Sequence, residues 1–285
     1  MKTNFYLGIL VAAASLCACS KIEQGPERNS AASGGESVGT FVLNASASAV
    51  CKTALDAENY ITWTEGDAIS VWEAGNASNS NVQLSLAGSS VGARRGTFSG
   101  SLTPAGPEFT LYAVYPYSEA YGDNVSEVSL TVPSAVNQCA TVNDVVGVSD
   151  FLLGSASFTS SDEEYAMAFH HPLTLLDIQI DGSNSVLQNA PIGTLTITAN
   201  TAFVGDVKAN LATGEVVPSG DGGKSLTITF PSTAKMSSLQ HAWVAILPAD
   251  LTNASCCFDL KMTNGQEIMF NVNPKKAFEA QHIYP

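Results

Sequence analysis

The sequence predicts an all-β protein built from two antiparallel β-sandwich domains in tandem. Segments in which apolar and polar residues alternate are short, and Gly, Pro, Asn or Asp separate them, as is typical of β-strands and their turns. No stretch keeps an apolar stripe of helical period beyond about two turns, so little helix is expected. The strands recur about every 10–15 residues, without intervening helices. Roughly 265 residues follow an N-terminal leader, and this length is more than one seven-stranded sandwich needs.

The strands are predicted in two groups. The first domain, 40–165, should contain strands at 40–45, 68–72, 109–115 and 126–132. The second domain, 166–285, should contain strands at 173–180, 193–199, 226–230, 242–247, 257–262 and 267–272. The boundary is placed here because 155–164 is polar and Pro172 opens the next strand. Asn264-Gly265, between the last two strands, predicts a hairpin.

The first residues have the features of a bacterial lipoprotein signal. Lys2 precedes an apolar run at 5–14, and the small residue Ala18 comes directly before Cys19. The run is too short to span a bilayer as a helix. We therefore expect a signal peptide at 1–18 and acylation of Cys19, with fatty acids such as palmitate holding the protein on a membrane. The alternative is an ordinary secretory signal that is cut near Ala18.

Residues 19–39 are predicted to form a flexible tether. They are rich in Ser, Gly, Glu and Asn and contain few large apolar side chains, so they cannot bury a core. Arg28 lies within this tether and is accessible to a protease. The formal charge of −14 argues against nucleic acid as a partner, because phosphate binding needs clustered Lys and Arg. The same charge leaves membrane contact to the acyl group alone.

Motifs of catalysis are scarce. The sequence contains no His-Glu-x-x-His, P-loop or Gly-x-Gly-x-x-Gly pattern, so we predict a protein that is not an enzyme and has no cofactor. Paired carboxylates need no local motif, so a glycosidase pair that includes Asp162, Glu163 or Glu164 is the enzymatic alternative. The ordinary interpretation of these acids is a polar loop.

His170 and His171 are adjacent in a chain with four histidines. Neighbouring residues of a strand point to opposite faces, and no further ligand lies two residues away, so we predict structural histidines and no metal site. His241 and His282 are isolated in the sequence. Asp67 follows Glu65-Gly66 and is interpreted as a turn or capping residue.

Two further residue types bear on the fold. Trp63 and Trp72 flank the turn before a predicted strand and should both be buried there. Strand alternation predicts that Cys256 is buried and that Cys257 is exposed. Disulfides are allowed in an exported protein, but the pairing among the four remaining cysteines stays open, and four free thiols are at least as consistent with the sequence.

Several phrases, in this order and behind a lipoprotein signal, resemble the fimbrillin family of Bacteroidota, which are exported lipoprotein pilins. The phrases are WTEGDAISVW at 63–72, LYAVYPY at 111–117, Val132-Pro133 followed by Gln138, FLL at 151–153 and FHHPL at 169–173. The resemblance implies two transthyretin-like β-sandwiches in each subunit. It also implies polymerisation by donor-strand exchange, in which a strand of one subunit completes the sheet of its neighbour.

We therefore expect a fimbrillin-like lipoprotein, anchored by lipid to the cell outer membrane and exposed on the surface or in fimbriae. It would be a structural or adhesive component of these fimbriae. Its partners would be other fimbrial subunits, through β-strand addition, and the outer membrane, through the acyl anchor. The alternative is a monomeric surface lipoprotein that binds glycan or host protein. An exposed concave patch of aromatic residues such as Trp63, Tyr117 or Trp243 would favour that alternative.

Two expectations concern processing and the last strand. In the family that the chain resembles, an arginine-directed protease removes the leader of stalk subunits, and Arg28, Arg94 and Arg95 are the candidate sites here. Arg28 precedes the first strand, and Arg94-Arg95 should lie in a loop of the first domain. The phrase at 276–285 resembles the lead-in to a final strand, so we expect a partner strand to cover the edge left bare. The alternative is a second sandwich that closes with one strand fewer.

Overall fold

The computed structural model describes residues 40–47, 54–55, 61–141, 145, 149–252 and 254–284, and their regular structure is almost entirely β. Short 3-10 turns lie at Ala77–Asn79, Gly88–Ser90 and Glu119–Tyr121. The strands in chain order are β1 (Phe41–Ala47), β2 (Ala54–Leu55), β3 (Ile61–Thr62), β4 (Ala68–Glu73), β5 (Val82–Leu86), β6 (Arg95–Gly100), β7 (Glu108–Tyr115), β8 (Val128–Val132), β9 (Ala135–Asn137), β10 (Leu152–Thr159), β11 (Ala166–His170), β12 (Thr174–Ile180), β13 (Ile192–Thr198), β14 (Gly205–Asn210), β15 (Glu215–Pro218), β16 (Ser225–Thr229), β17 (Gln240–Ile246), β18 (Cys256–Met262), β19 (Glu267–Val272) and β20 (Ile283–Tyr284). The predicted all-β fold is confirmed.

The first unit is a barrel in which strands pair in the order β1-β11-β10-β7-β4-β5-β6, and β6 pairs back to β1. β1 runs antiparallel to β6 but parallel to β11. The side chains of β1 alternate between the interior and the surface of the barrel. Phe41, Leu43 and Ala45 are buried inside it, whereas Val42 is 42% exposed. β1 therefore supplies part of the barrel core as well as its closing strand.

The second unit contains three sheets, ordered β17-β12-β20, β19-β18-β13-β16-β9 and β15-β14-β8. The first two sheets share a core with alternating residues on their inner faces. On β17 the inner residues Ala242, Val244 and Ile246 are at most 1% exposed. The β18–β19 hairpin turns at the predicted Asn264-Gly265, where Gly265 has a φ of +86° that suits glycine.

Strand pairing crosses between the units three times along the chain. β8 and β9 pair with β14 and β16 of the second unit, and β10 and β11 then return to the barrel. The sequence places strand 126–132 in the first group, whereas its observed partner is β14, because alternation predicts a strand but not its partner. Limits of 40–165 and 166–285 for the two sandwiches remain a prediction.

Candidate strand-binding site

Of the predicted processing and lipidation sites, Arg94 and Arg95 lie in the described part of the chain, whereas Cys19 and Arg28 lie outside it. Both described arginines are exposed, and Arg95 is the first residue of β6, where it is the register partner of Ser46 in β1. The predicted loop position thus holds for Arg94 but not for Arg95. Among the described residues no helix is long and apolar enough to cross a membrane.

The adjacent histidines have structural surroundings. His171 is 2% exposed, and its Nδ1 lies 2.9 Å from Oδ2 of Asp150, which is equally buried. Burial lowers the pKa of His170, although hydrogen bonds with the main chain of Gly214 and Leu153 oppose that effect. Nowhere in the described ranges do three or more His, Cys, Asp or Glu residues form a group that could hold a metal ion.

His241 and His282 are not isolated in space, contrary to the impression from the sequence. His241 Nδ1 lies 2.9 Å from Oδ1 of Asp177, across the register of β12 and β17. His282 Nδ1 lies 2.8 Å from the carbonyl oxygen of Ala280. His241 and Asp177 are 64 residues apart in the sequence, so alternation along the chain does not predict their contact.

Asp67 is a turn residue, as predicted. Its Oδ2 accepts the Thr64 N–H at 2.7 Å, and its Oδ1 accepts the Tyr115 hydroxyl at 2.7 Å. Burial and the neighbouring Asp67 carboxylate raise the pKa of Tyr115, so the phenol remains a donor.

Both tryptophans are buried as predicted, but in different cores. Trp63 packs inside the barrel against Phe98, whereas Trp72 points into the core of the second unit and donates its Nε1–H to the carbonyl oxygen of Gly122 at 3.0 Å. Tyr115 is also buried, while Tyr112, Tyr117 and Trp243 are half-buried. The exposed aromatic patch that would favour a glycan-binding monomer is therefore not assembled from these residues.

Cysteine burial partly follows the predicted alternation. Cys256 is 3% exposed, and burial raises the pKa of its thiol, whereas Cys257 is half-buried instead of exposed. Cys139 is buried. Cys51 lies outside the described residues, so the pairing question stays as the sequence leaves it.

Of the acids considered for glycosidase chemistry, Asp162 has turn geometry. Asp162 accepts the main-chain N–H of Thr159 at 2.8 Å, and hydrogen bonds from Thr159 lower its pKa. A catalytic acid needs a raised pKa instead. Gly88-Ser89-Ser90-Val91-Gly92 has the spacing of a hydrolase nucleophile, yet Ser90 is buried in a 3-10 turn before β6 and accepts the Thr97 N–H. That turn lacks the strand–turn–helix context which such a serine requires.

The second sandwich has two lateral sides, where the edges of its two main sheets face each other. One side is closed and the other is not, and this difference defines a candidate binding site. On the β17 side, the segment after β9 bridges the two sheets. Gln138 donates its main-chain N–H to Thr229 of β16, and Cys139 accepts the N–H of Trp243 of β17 at 2.9 Å. The inner residues of β17 are consequently fully buried. β12 and β20 must then lie on the same side as β18 and β19.

That opposite side is open. Inner-face residues of both sheets are more exposed near this side. Phe270 and Val272 of β19 are 36% and 39% exposed, although their register partners on β18 face the core. We call this opening the lateral cleft and define it by half-exposed residues of β12, β18 and β19. They are Leu176, Ile178, Ile180, Phe258, Ile268, Phe270 and Val272.

β20 covers only one end of the lateral cleft. It runs parallel to β12 and pairs with Leu175 and Leu176 alone. The Leu175 N–H donates to His282 at 3.0 Å, so alternation directs the main-chain N–H groups of Asp177 and Gln179 toward the same edge. The parallel pairing of Leu176 with Tyr284 uses the Asp177 N–H, and no residue of the described ranges pairs with Gln179 there. The edge of β12 can therefore accept a further strand whose alternate apolar side chains would fill the lateral cleft.

Comparison with known proteins identifies relatives of this architecture. The sequence profile of the fimbrillin-like family matches residues 53–284. No curated protein matches the sequence. Similar solved structures include three candidate cell adhesion proteins. One from Bacteroides uniformis has 20% identity and a TM-score of 0.57 and covers 88% of this chain and 94% of its own.

The other two structures give similar values. A protein from Bacteroides ovatus has 16% identity and a TM-score of 0.56, and one from Bacteroides fragilis has 12% identity and a TM-score of 0.53. Each covers 85% of this chain and 90% of its own. At these identities the similarity shows a shared fold.

Proposed function

The chain belongs to the fimbrillin-like family, and we propose that it is a lipid-anchored outer-membrane protein that serves as a structural or adhesive component of surface fimbriae. We further propose that it joins a neighbouring subunit by β-strand addition at the lateral cleft. The family is one of fimbrial and adhesive proteins, which supports a cell-surface location and a non-enzymatic role.

The single observation that carries this proposal is the open lateral cleft. Phe270 and Val272 lie on the inner face of the sandwich but leave apolar surface in contact with water. Burying such surface beneath an added strand would stabilise the complex by about 25 cal/mol for each Å². An added strand would bury this area and would also gain main-chain hydrogen bonds to the free edge of β12 at Gln179. Continuing the direction of β20, it would place alternate apolar side chains over Ile178 and Ile180.

The leader would decide where the subunit sits. Acylation at Cys19 and a tether at 19–39 would hold the folded part on the membrane, and cleavage at Arg28 would release it with every described strand intact. Cleavage at Arg94 or Arg95 would instead cut the barrel at the start of β6, beside β1. We therefore propose Arg28 as the processing site that is compatible with the intact barrel.

The test is a denaturing gel of sheared cell-surface material, loaded unheated and boiled, for the wild type and two variants. Ile178→Lys places a charge in the lateral cleft, whereas Val217→Lys alters an exposed residue of β15 away from it. We expect an unheated ladder that collapses on boiling for the wild type and for Val217→Lys, and no ladder for Ile178→Lys.

Folding and processing are controlled in the same experiment. Circular dichroism of each purified variant verifies that the β-fold is retained, and the intact mass of each band reports the N-terminus. A single band that remains acylated at Cys19 and stays in the membrane fraction would contradict the polymerising role and favour a monomeric binding lipoprotein.

A further inference from the structure

β19 forms an edge of the five-stranded sheet and carries exposed apolar side chains on both of its faces. Its outer face carries Met269, which is 62% exposed, and its inner face carries Phe270 and Val272, which are 36% and 39% exposed. Within the described parts of the chain, no segment pairs with the side of β19 that faces away from β18. This side is a six-residue row of main-chain groups beside exposed apolar side chains.

Two other edge strands of the described sheets are protected in ordinary ways. β15 has four residues, begins with Glu215 and ends with Pro218, and β20 has only two residues. Short strands, charges and proline are the usual means of preventing edge-to-edge pairing. β19 has a charge only at its first residue, Glu267, and its next proline, Pro274, lies beyond its end. The unprotected edge of β19 is therefore suited to pairing with another strand.

The register shows which groups are available for that pairing. Met262 donates its N–H to Gln266 at 2.9 Å, which makes these two residues a hydrogen-bonded pair of the β18–β19 ladder. Such pairs alternate along antiparallel strands, so Ile268, Phe270 and Val272 bond to β18. Glu267, Met269 and Asn271 direct their N–H and C=O groups outward.

We propose that β19 pairs antiparallel with β19 of a second copy of this chain, which joins two five-stranded sheets across a twofold axis. The contact is self-complementary, as an isologous contact must be. With Met269 opposite its own counterpart, Glu267 faces Asn271 of the other copy. With Phe270 opposite its counterpart, Glu267 faces Asn273. Neither register opposes like charges.

Charge favours this strand over the rest of the surface as a contact between copies. The chain carries a formal charge of −14, so most faces of two copies repel each other. The β19 edge brings together a single acid from each copy, and these lie at opposite ends of the pair. The stacked rings of Phe258 and Phe270, 5.3 Å apart, would be extended by the same ring of the second copy.

This contact is separate from strand addition at the lateral cleft. The added strand would pair with β12, in the other sheet, and would touch only the inner face of β19. Met269 and Asn271 lie outside the lateral cleft, on the outer face of β19. A contact of six residues on each side belongs to the small class of interfaces, so we expect a weak dimer that depends on concentration. In fimbriae it would link subunits side by side.

Sedimentation equilibrium of the purified full-length chain in mild detergent tests the proposal. The wild type should pass from monomer to dimer over a concentration range of roughly hundredfold around its dissociation constant. Met269→Lys should weaken the dimer about tenfold, because it places two like charges at the contact. Asn271→Pro should abolish it, because the lost N–H points outward and is not used by β18.

Val217→Lys is the matched control, since it adds the same charge to another exposed edge strand. It should dimerise as the wild type does. A wild type that remains monomeric up to its solubility limit would overturn the proposal, and so would a dimer that both variants leave unchanged. Because the boiled and unheated gels report the lateral cleft, the two proposals can fail independently.

Discussion

Replacement of His171 by Leu should destabilise the whole molecule by about 3–5 kcal/mol. His171 and Asp150 lie on the two segments that cross between the units around β10 and β11, and their side chains are 3% and 1% exposed. Removing one partner leaves the Asp150 carboxylate buried without its imidazole, which typically costs that much. Screening by solvent does not reduce the effect, because neither group reaches water.

A double variant separates the unpaired charge from the loss of the ring. Asp150→Leu together with His171→Leu removes both polar groups, which is often close to neutral for a buried pair. The Phe151 N–H loses its 2.8 Å bond to Asp150 Oδ1, which costs about 1 kcal/mol. The double variant should therefore be about 2 kcal/mol more stable than His171→Leu alone.

Urea unfolding followed by tryptophan fluorescence measures these differences in both units at once, because Trp63 and Trp72 lie in separate cores. His241→Leu is the control. Its ring is 37% exposed beside Asp177, so its loss should cost no more than about 1 kcal/mol. The reasoning would be refuted if His171→Leu lost no more than His241→Leu, or if the double variant were the least stable.

Three other variants probe the barrel, a turn and a tyrosine. Leu43→Ala, at a fully buried position of β1, should lower the free energy of unfolding by about 2–5 kcal/mol in urea titrations, whereas Val42→Ala, at its exposed neighbour, should change it by no more than about 0.5 kcal/mol. Gly265→Ala should cost more than about 1 kcal/mol in the same assay because of its φ of +86°, while Gly88→Ala, with open space and an ordinary φ, should not. Burial raises the pKa of Tyr121 to about 12. The stability that depends on its neutral phenol should therefore be complete below pH 10 and should decrease as the pH rises above 10. Thermal melts should show a smaller decrease for Tyr121→Phe.

The strands with strong apolar alternation could be predicted from sequence, and all ten predicted strands overlap observed ones. β10 shows why others were missed. Its residues Gly154, Ser155 and Ala156 are small and give little contrast between its two faces, so its position depends on pairing with β7 and β11. The parallel pairing of β1 with β11 is equally invisible, because it joins residues about 120 positions apart.

The candidate site could be predicted only in outline. The sequence indicated an edge near 276–285, and β20 indeed lies on the edge of β12. The lateral cleft itself could not be foreseen, since Ile178 and Phe270 read as ordinary core residues and their partial exposure results from the order of strands in two sheets. The contact of His241 with Asp177 likewise depends on register.

Hydrogen exchange of the β12 peptide, compared between monomer and sheared fimbriae, tests strand addition most directly. The amide of Gln179 faces the edge of β12 beyond β20, so it should exchange rapidly in the monomer and be protected in the assembled form. The amide of Leu175, which already donates to His282, should change little and serves as the internal reference. Equal exchange of Gln179 in the two forms would contradict strand addition at the lateral cleft.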